Sequence, residues 1–194
     1  LGDASQITGA NTNLTEWTLL SYMGRVNYDY KEKYLLTATV RMDGSSRFGA
    51  NTKFGIFPSV AFGWNISEEP FIKDVAAIDQ LKLRASWGAI GNQAINPYQT
   101  QSLLGRTAYA WDNTAAYGYR PNTIGNPDLR WETSTTKNIG LDFSFLRGRI
   151  SGTAEYYVTN TTDLLAPQPL PTSIGFGGFT TNIGETQNSG IELT

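Results

Sequence analysis

Residues 81–89 read Leu-Lys-Leu-Arg-Ala-Ser-Trp-Gly-Ala, with Leu81, Leu83, Ala85, Trp87 and Ala89 alternating with Lys82, Arg84, Ser86 and Gly88. Successive side chains of a strand point to opposite faces, so this period of two predicts a sheet apolar on one side and wet on the other. Other segments repeat the pattern. Residues 19–30 set Leu20, Tyr22, Val26, Tyr28 and Tyr30 against Ser21, Met23, Arg25, Asn27 and Asp29. Residues 34–43 set Tyr34, Leu36, Ala38, Val40 and Met42 against Leu35, Thr37, Thr39, Arg41 and Asp43. Residues 56–66 set Val60, Phe62, Trp64 and Ile66 against Ala61, Gly63 and Asn65. The fifth segment, 131–145, opposes Ile139, Leu141, Phe143 and Phe145 to Asn138, Gly140, Asp142 and Ser144. The sixth, from Ile150 to Thr159, opposes Ile150, Gly152, Ala154, Tyr156 and Val158 to Ser151, Thr153, Glu155, Tyr157 and Thr159.

The joins between these segments sort by length. Lys31-Glu32-Lys33 and Leu146-Arg147-Gly148-Arg149 are tight turns, which force antiparallel hairpins. The polar stretch Asp43 to Gly49 leaves the sheet as a glycine-punctuated loop. Residues 91–130 form a connection rich in Asn, Gly, Tyr and Pro, long enough to bind something or to lack structure of its own. A second long loop, 166–188, opens with Pro167, Pro169 and Pro171. Between the third and fourth segments, Phe71, Ile72, Val75 and Ile78 after Pro70 have the spacing of a short amphipathic helix. In an up-and-down sheet, odd and even connections lie at opposite ends. Short turns at one end and long loops at the other match the periplasmic and extracellular sides of an outer-membrane barrel.

A soluble antiparallel sandwich with one buried face would alternate in the same way. Length favours the membrane: a tilted spanning strand needs roughly 9–11 residues, whereas globular strands average about five or six. Tyr28, Tyr30 and Tyr34 cluster at the turn end, where an aromatic belt meets a membrane interface. Leu35 alone breaks the polar face of its strand, which places it near the rim. The predicted fold is therefore all-β, six or seven strands of an antiparallel up-and-down transmembrane β-barrel.

Composition fits. Charged residues make up 16% of the 194, against roughly 25% in ordinary soluble domains. Aromatics reach 12%. The mean hydropathy of -0.31 and the lack of a long apolar run leave no room for a spanning helix, a test that a barrel escapes because only alternate residues need be apolar. A net charge of -2 argues against a nucleic-acid partner. The chain has no Cys and no His, which removes thiolate metal sites and any Ser-His-Asp triad. No cofactor, metal site or enzyme activity is expected. The missing leader and the alternation that begins at Ser189 and stops at Thr194 predict an internal fragment.

Candidate binding chemistry is confined to the first long loop. Tyr109, Trp111, Tyr117 and Tyr119, with Asp112, Asn113 and Arg120 among them, can stack on a flat ligand and hydrogen-bond it, and aromatics of this kind also pack long loops. Glu68-Glu69 lacks the convergence that carboxylate catalysis needs. Gly175-Phe176-Gly177-Gly178 lacks the Lys-Ser/Thr of a phosphate loop.

Ala38-Thr39-Val40-Arg41-Met42-Asp43-Gly44-Ser45-Ser46-Arg47-Phe48-Gly49, Phe57-Pro58-Ser59-Val60-Ala61-Phe62-Gly63-Trp64 and Ile66-Ser67-Glu68-Glu69 closely resemble the SusC/RagA-type TonB-linked outer-membrane proteins of Bacteroidetes. Gly91-Asn92-Gln93, Asn126-Pro127-Asp128-Leu129-Arg130-Trp131-Glu132 and Asn182-Ile183-Gly184-Glu185 continue the resemblance, as does Asn188-Ser189-Gly190-Ile191-Glu192-Leu193. It covers nearly the whole chain, so residues 1–194 are expected to be one partial barrel domain. The resemblance implies a barrel of about 22 strands with a plugged lumen, which imports oligosaccharides or peptides with energy from the TonB complex. It also implies a SusD-like surface lipoprotein as partner and an outer-membrane location. The plug, TonB box and closing strands are not among the matched motifs. A passive porin and a secreted carbohydrate-binding module are the alternatives.

Overall fold

The computed structural model describes Thr12, residues 14–112 and residues 114–194. Residues 1–11 of the expected domain, Asn13 and Asn113 lie outside that set. Every regular element is a strand or a single 3-10 turn. In chain order the strands are β1 (Leu19–Tyr30), β2 (Tyr34–Ser45), β3 (Phe54–Asn65), β4 (Ile78–Asn92), β5 (Leu104–Trp111), β6 (Thr114–Pro121), β7 (Glu132–Phe145), β8 (Ile150–Thr162), β9 (Leu165–Pro169), β10 (Gly178–Asn182) and β11 (Glu185–Leu193). Seven form one antiparallel sheet in the order β1-β2-β3-β4-β7-β8-β11, and β5-β6 and β9-β10 are separate two-stranded ribbons.

The main sheet follows the alternation. Tyr30 pairs with Tyr34 across the first tight turn, and Phe145 with Ile150 across the second. Lys31 and Glu32 both take positive φ (56° and 58°), the sense of turn that continues a strand pair's right-handed twist. The Asp29 carboxylate accepts from the Glu32 N–H at 2.8 Å and holds that turn. Register then carries one face through the sheet: Val26, Ala38, Val60 and Trp87 occupy successive pairs, and Asn27, Thr37, Ala61, Ser86 and Asn138 do the same on the other face. The row leaving Tyr30 passes Tyr34, Trp64 and Leu83 to reach Leu141, already above the Phe145–Ile150 turn pair. That stagger is the strand tilt a barrel requires.

Among the described residues nothing covers the apolar face. Val26 is 68% exposed, Ile56 65% and Ile191 72%, in a continuous surface far larger than the few hundred Å² that soluble monomers leave bare. From Tyr30 to Leu20 along β1 this face spans about 33 Å at roughly 3.3 Å per residue. Tilted, that is about the 25 Å height of a barrel's lipid-facing band. Tyr30, Tyr34 and Trp64 stack in a line with centroids 6.4 Å apart and form an aromatic girdle at the tight-turn end.

Three expectations need correction. Residues 68–80 do not form a helix. Ile66–Glu68 is a 3-10 turn, Ile72 and Lys73 both donate to the Glu69 carbonyl, and β4 has already begun at Ile78. Most of a short helix's stability comes from packing its apolar face, and here Phe71 and Val75 are exposed. The Glu69 carboxylate instead pins the segment to the girdle. It accepts from Tyr34 Oη at 2.7 Å, Lys33 Nζ at 3.0 Å and Trp64 Nε1 at 3.2 Å. Those three donors, the tyrosine first, hold its pKa below the ordinary carboxylate range. Second, the two long loops contain ordered ribbons. Third, β2 keeps pairing to Ser45 and β8 to Thr162, so both strands outlast their predicted ends.

Pro58 sits where β3 and β4 part. Below it they pair from Ser59–Gly88 to Asn65–Lys82; above it β3 pairs only with β2. A proline has no N–H for a second ladder. The fork is filled by the Phe57 ring, which stands where side chains at Gly55 and Gly91 would be: a Cβ on Gly91 would lie 2.0 Å from its Cζ.

Candidate functional site

Interior chemistry begins with the polar face of the sheet. Arg84 on β4 donates from Nε and Nη2 to both Asp142 carboxylate oxygens on β7, each at 2.8 Å, and also bridges to Glu155 on β8. Asn138 Nδ2 donates to the same Glu155 at 3.0 Å. Further up, Ser134–Thr161 and Thr136–Thr159 hydroxyl pairs meet at 2.8 and 2.9 Å. Cross-strand pairs of this kind fix register and leave a hydrated wall with few apolar side chains. Met23 and Leu35 are apolar exceptions; Leu35 packs beside Gly63, one pair from the β1–β2 turn.

At the long-loop end lies the one hydrophobic core among the described residues: Phe48, Phe57, Ile95, Leu129 and Trp131, flanked by Leu165. Trp131 packs on Phe48 and Phe57 with centroids 5.0 and 5.5 Å away, and its Nε1 donates to the Lys53 carbonyl at 3.0 Å. Thr52 Oγ1 donates to the Leu129 carbonyl at 2.6 Å, and Arg47 Nη1 to that of Ile95 at 2.9 Å. Phe57 comes from β3, and Phe48, Ile95 and the Leu129–Trp131 pair come from three separate loops. The polar motifs around them look like loop sequence because each contributes only one or two apolar side chains.

This core seats the ribbons. Asn182, at the end of β10, accepts from the Arg130 N–H at 2.9 Å and donates from Nδ2 to the carbonyls of Arg130 and Asp163 at 2.8 and 2.9 Å. Asn126 Nδ2 donates to the Thr180 carbonyl at 3.0 Å. The β9–β10 ribbon is thereby fixed to the segment that precedes β7.

The four aromatic residues singled out from sequence lie on the β5–β6 ribbon, and it divides them. Tyr109 and Trp111 share one face, in a T-shaped pair at 6.2 Å; Tyr117 and Tyr119 point to the other, paired with Ala108 and Arg106. The Arg106 guanidinium lies 3.6 Å from the Tyr117 ring centroid. All four are open to solvent, from 59% for Tyr109 to 75% for Tyr119. They do not form one stacking platform.

Sequence reasoning missed the cleft between the two ribbon-bearing loops. It has a volume of about 370 Å³, and its lining includes Asn96, Tyr98, Gln99, Thr123, Phe179 and Thr180. Pro97 is followed by Tyr98 at φ 70°, in the left-handed region that glycine enters most readily. The Asn-Pro dipeptide marks the turn in the sequence; nothing local marks its approach to Phe179, more than eighty residues away. No group of three or more His, Cys, Asp or Glu suited to a metal ion occurs among the described residues.

Comparison with known proteins places this architecture. The family model for the TonB dependent receptor-like β-barrel matches residues 2–194. TonB-dependent receptor P39 of Formosa agariphila is 40% identical over 183 residues, covering 94% of this chain and 17% of that protein. TonB-dependent receptor SusC of Bacteroides thetaiotaomicron is 41% identical over 193 residues, covering 93% and 18%. The RagAB peptide importer in its closed-closed state superposes with a TM-score of 0.85 at 32% identity, over 99% of this chain and 22% of that one. The siderophore receptor PirA of Pseudomonas aeruginosa, at 17% identity and a TM-score of 0.61, shares the fold. The chain spans under a fifth of the length of the Formosa and Bacteroides receptors it matches.

Proposed function

We propose, on the premise that this chain belongs to the TonB-dependent receptor β-barrel family in its SusC/RagA-type branch, that it builds part of the wall and mouth of an active nutrient importer of the outer membrane. One observation carries the reading: a family match across the chain coincides with a staggered sheet whose bare apolar face suits lipid and whose other face suits water. On this reading the tight turns are periplasmic and the ribbons extracellular. The polar face, with Arg84, Asp142 and Glu155, lines the lumen. Its side chains bind one another, so it presents a fixed, hydrated wall past which a polar nutrient moves without a large desolvation cost.

The extracellular ribbons contribute to capture. Tyr109 and Trp111 on one face of β5–β6, and Tyr117 and Tyr119 on the other, supply two separate aromatic surfaces, one for an oligosaccharide or peptide substrate and one for a SusD-like surface lipoprotein. A two-stranded ribbon is marginal alone in water, and such surfaces stabilise it when covered. Energy comes from the TonB complex through parts of the receptor outside this chain.

The test is uptake by the full-length receptor in cells with and without a working TonB complex. Uptake that stops when TonB is removed supports active import. Equal uptake in both strains means a passive pore and overturns the reading.

A further inference from the structure

We propose that the cleft between the β9–β10 ribbon and the segments that flank β5–β6, residues 96–103 and 123–124, is a binding site for a neutral glycan, an inference that rests on the import reading and narrows its substrate class. The cleft is of ligand size, about 370 Å³, within the range of small-molecule sites. None of its lining residues is Asp, Glu, Lys or Arg. Tyr98 and Phe179 supply aromatic surface. Asn96, Gln99, Thr123 and Thr180 supply amides and hydroxyls. The Gln99 Oε1 accepts from the Asn96 N–H at 3.1 Å and the Thr123 Oγ1 from the Leu103 N–H at 3.1 Å, which orients both side chains. The Gln99 Nε2, the Asn96 amide and the Thr123 O–H make no hydrogen bond among the described residues, and these suit sugar hydroxyls.

Tyr98 is the telling residue. Its backbone adopts a left-handed conformation at φ 70°, which glycine accepts freely and a bulky residue resists. Its hydroxyl accepts from the Glu16 N–H at 3.1 Å, so the ring is held in place at the cleft wall. A disfavoured backbone retained for the sake of a side chain is a mark of functional sites. The ligand class follows from the lining. A sugar offers an apolar ring face to an aromatic and hydroxyls to neutral polar groups. A short peptide brings charged ends, and here they would lose water without a partner.

The experiment is binding by the full-length receptor, purified in detergent, to an array of neutral and acidic oligosaccharides and to a library of short peptides. Wild type should retain at least one neutral glycan. Phe179→Ala, Gln99→Ala and Tyr98→Gly should each weaken that binding about tenfold or more, the equivalent of about 1.4 kcal/mol. Tyr98→Gly removes the ring where the backbone prefers glycine, so the heat-modified mobility and abundance of the barrel should be unchanged. Retention of peptides or acidic glycans alone overturns the proposal and leaves import intact. So does neutral-glycan binding that all three variants keep, or no retention of any neutral glycan. Loss of TonB-dependent uptake is a separate readout and bears on the import reading alone.

Discussion

Single side chains fix the two ends of the barrel wall, and each carries a test. Glu69 gathers Tyr34, Lys33 and Trp64 at the tight-turn rim, and those donors lower its pKa in the folded protein. A carboxyl lowered in the folded state adds stability that is fully present above its unfolded value, about 4.3, and is lost as pH falls through the folded one. Glu69→Gln in the full-length receptor should therefore lower the urea midpoint at pH 7. The gap to wild type should close as the pH drops below the carboxylate range; a gap independent of pH would contradict this role. At the other end, Gly91→Ala forces a methyl onto the buried Phe57 ring. It should cost about 1–3 kcal/mol of unfolding free energy, the usual range for overpacking, and Phe57→Leu in the same chain should restore part of it. These contacts were not legible in the sequence. Glu69 reads as half of a solvated acidic pair, and Phe57 as one more residue before Pro58, until register brings their partners alongside.

Strands were legible and ribbons were not, for a physical reason. In β1 to β4, β7 and β8 one face is apolar and the other polar, so composition alternates by face. The β5–β6 ribbon has solvent on both sides, and aromatics stand on both: Tyr109 and Trp111 on one, Tyr117 and Tyr119 on the other. With no common apolar face there is no period to read. The amphipathic spacing of residues 71–78 misled in the opposite sense, because Phe71 and Val75 stay exposed among the described residues. The split of the aromatics has a consequence for capture. Trp111→Ala and Tyr119→Ala in the full-length receptor should act on different readouts, one lowering substrate uptake and the other lipoprotein co-purification, with barrel abundance unchanged. Equal effects of both variants on both readouts would mean a single surface, and loss of abundance alone would make the aromatics structural.

The sheet as a whole leaves β1 and β11 as open edges and one broad face uncovered. Unpaired edges and bare apolar faces associate in water, so residues 1–194 alone should stay monodisperse only in detergent. A stable monomer in plain buffer, seen by light scattering, would restore the soluble sandwich. The lipid-facing assignment itself is open to direct measurement: the chain contains no Cys, so once any cysteine elsewhere in the receptor is replaced by Ser each position can take a single spin label. Labels walked along residues 22–29 of β1 and 134–143 of β7, in the full-length receptor in lipid, report accessibility to dissolved oxygen against a water-soluble nickel complex. Oxygen should dominate at Val26, Tyr28, Ile139 and Leu141 and the nickel complex at Asn27, Asp29, Asn138 and Asp142, with a period of two. A flat profile, or nickel access at Val26 and Ile139 equal to that at their neighbours, would contradict a wall between lipid and lumen.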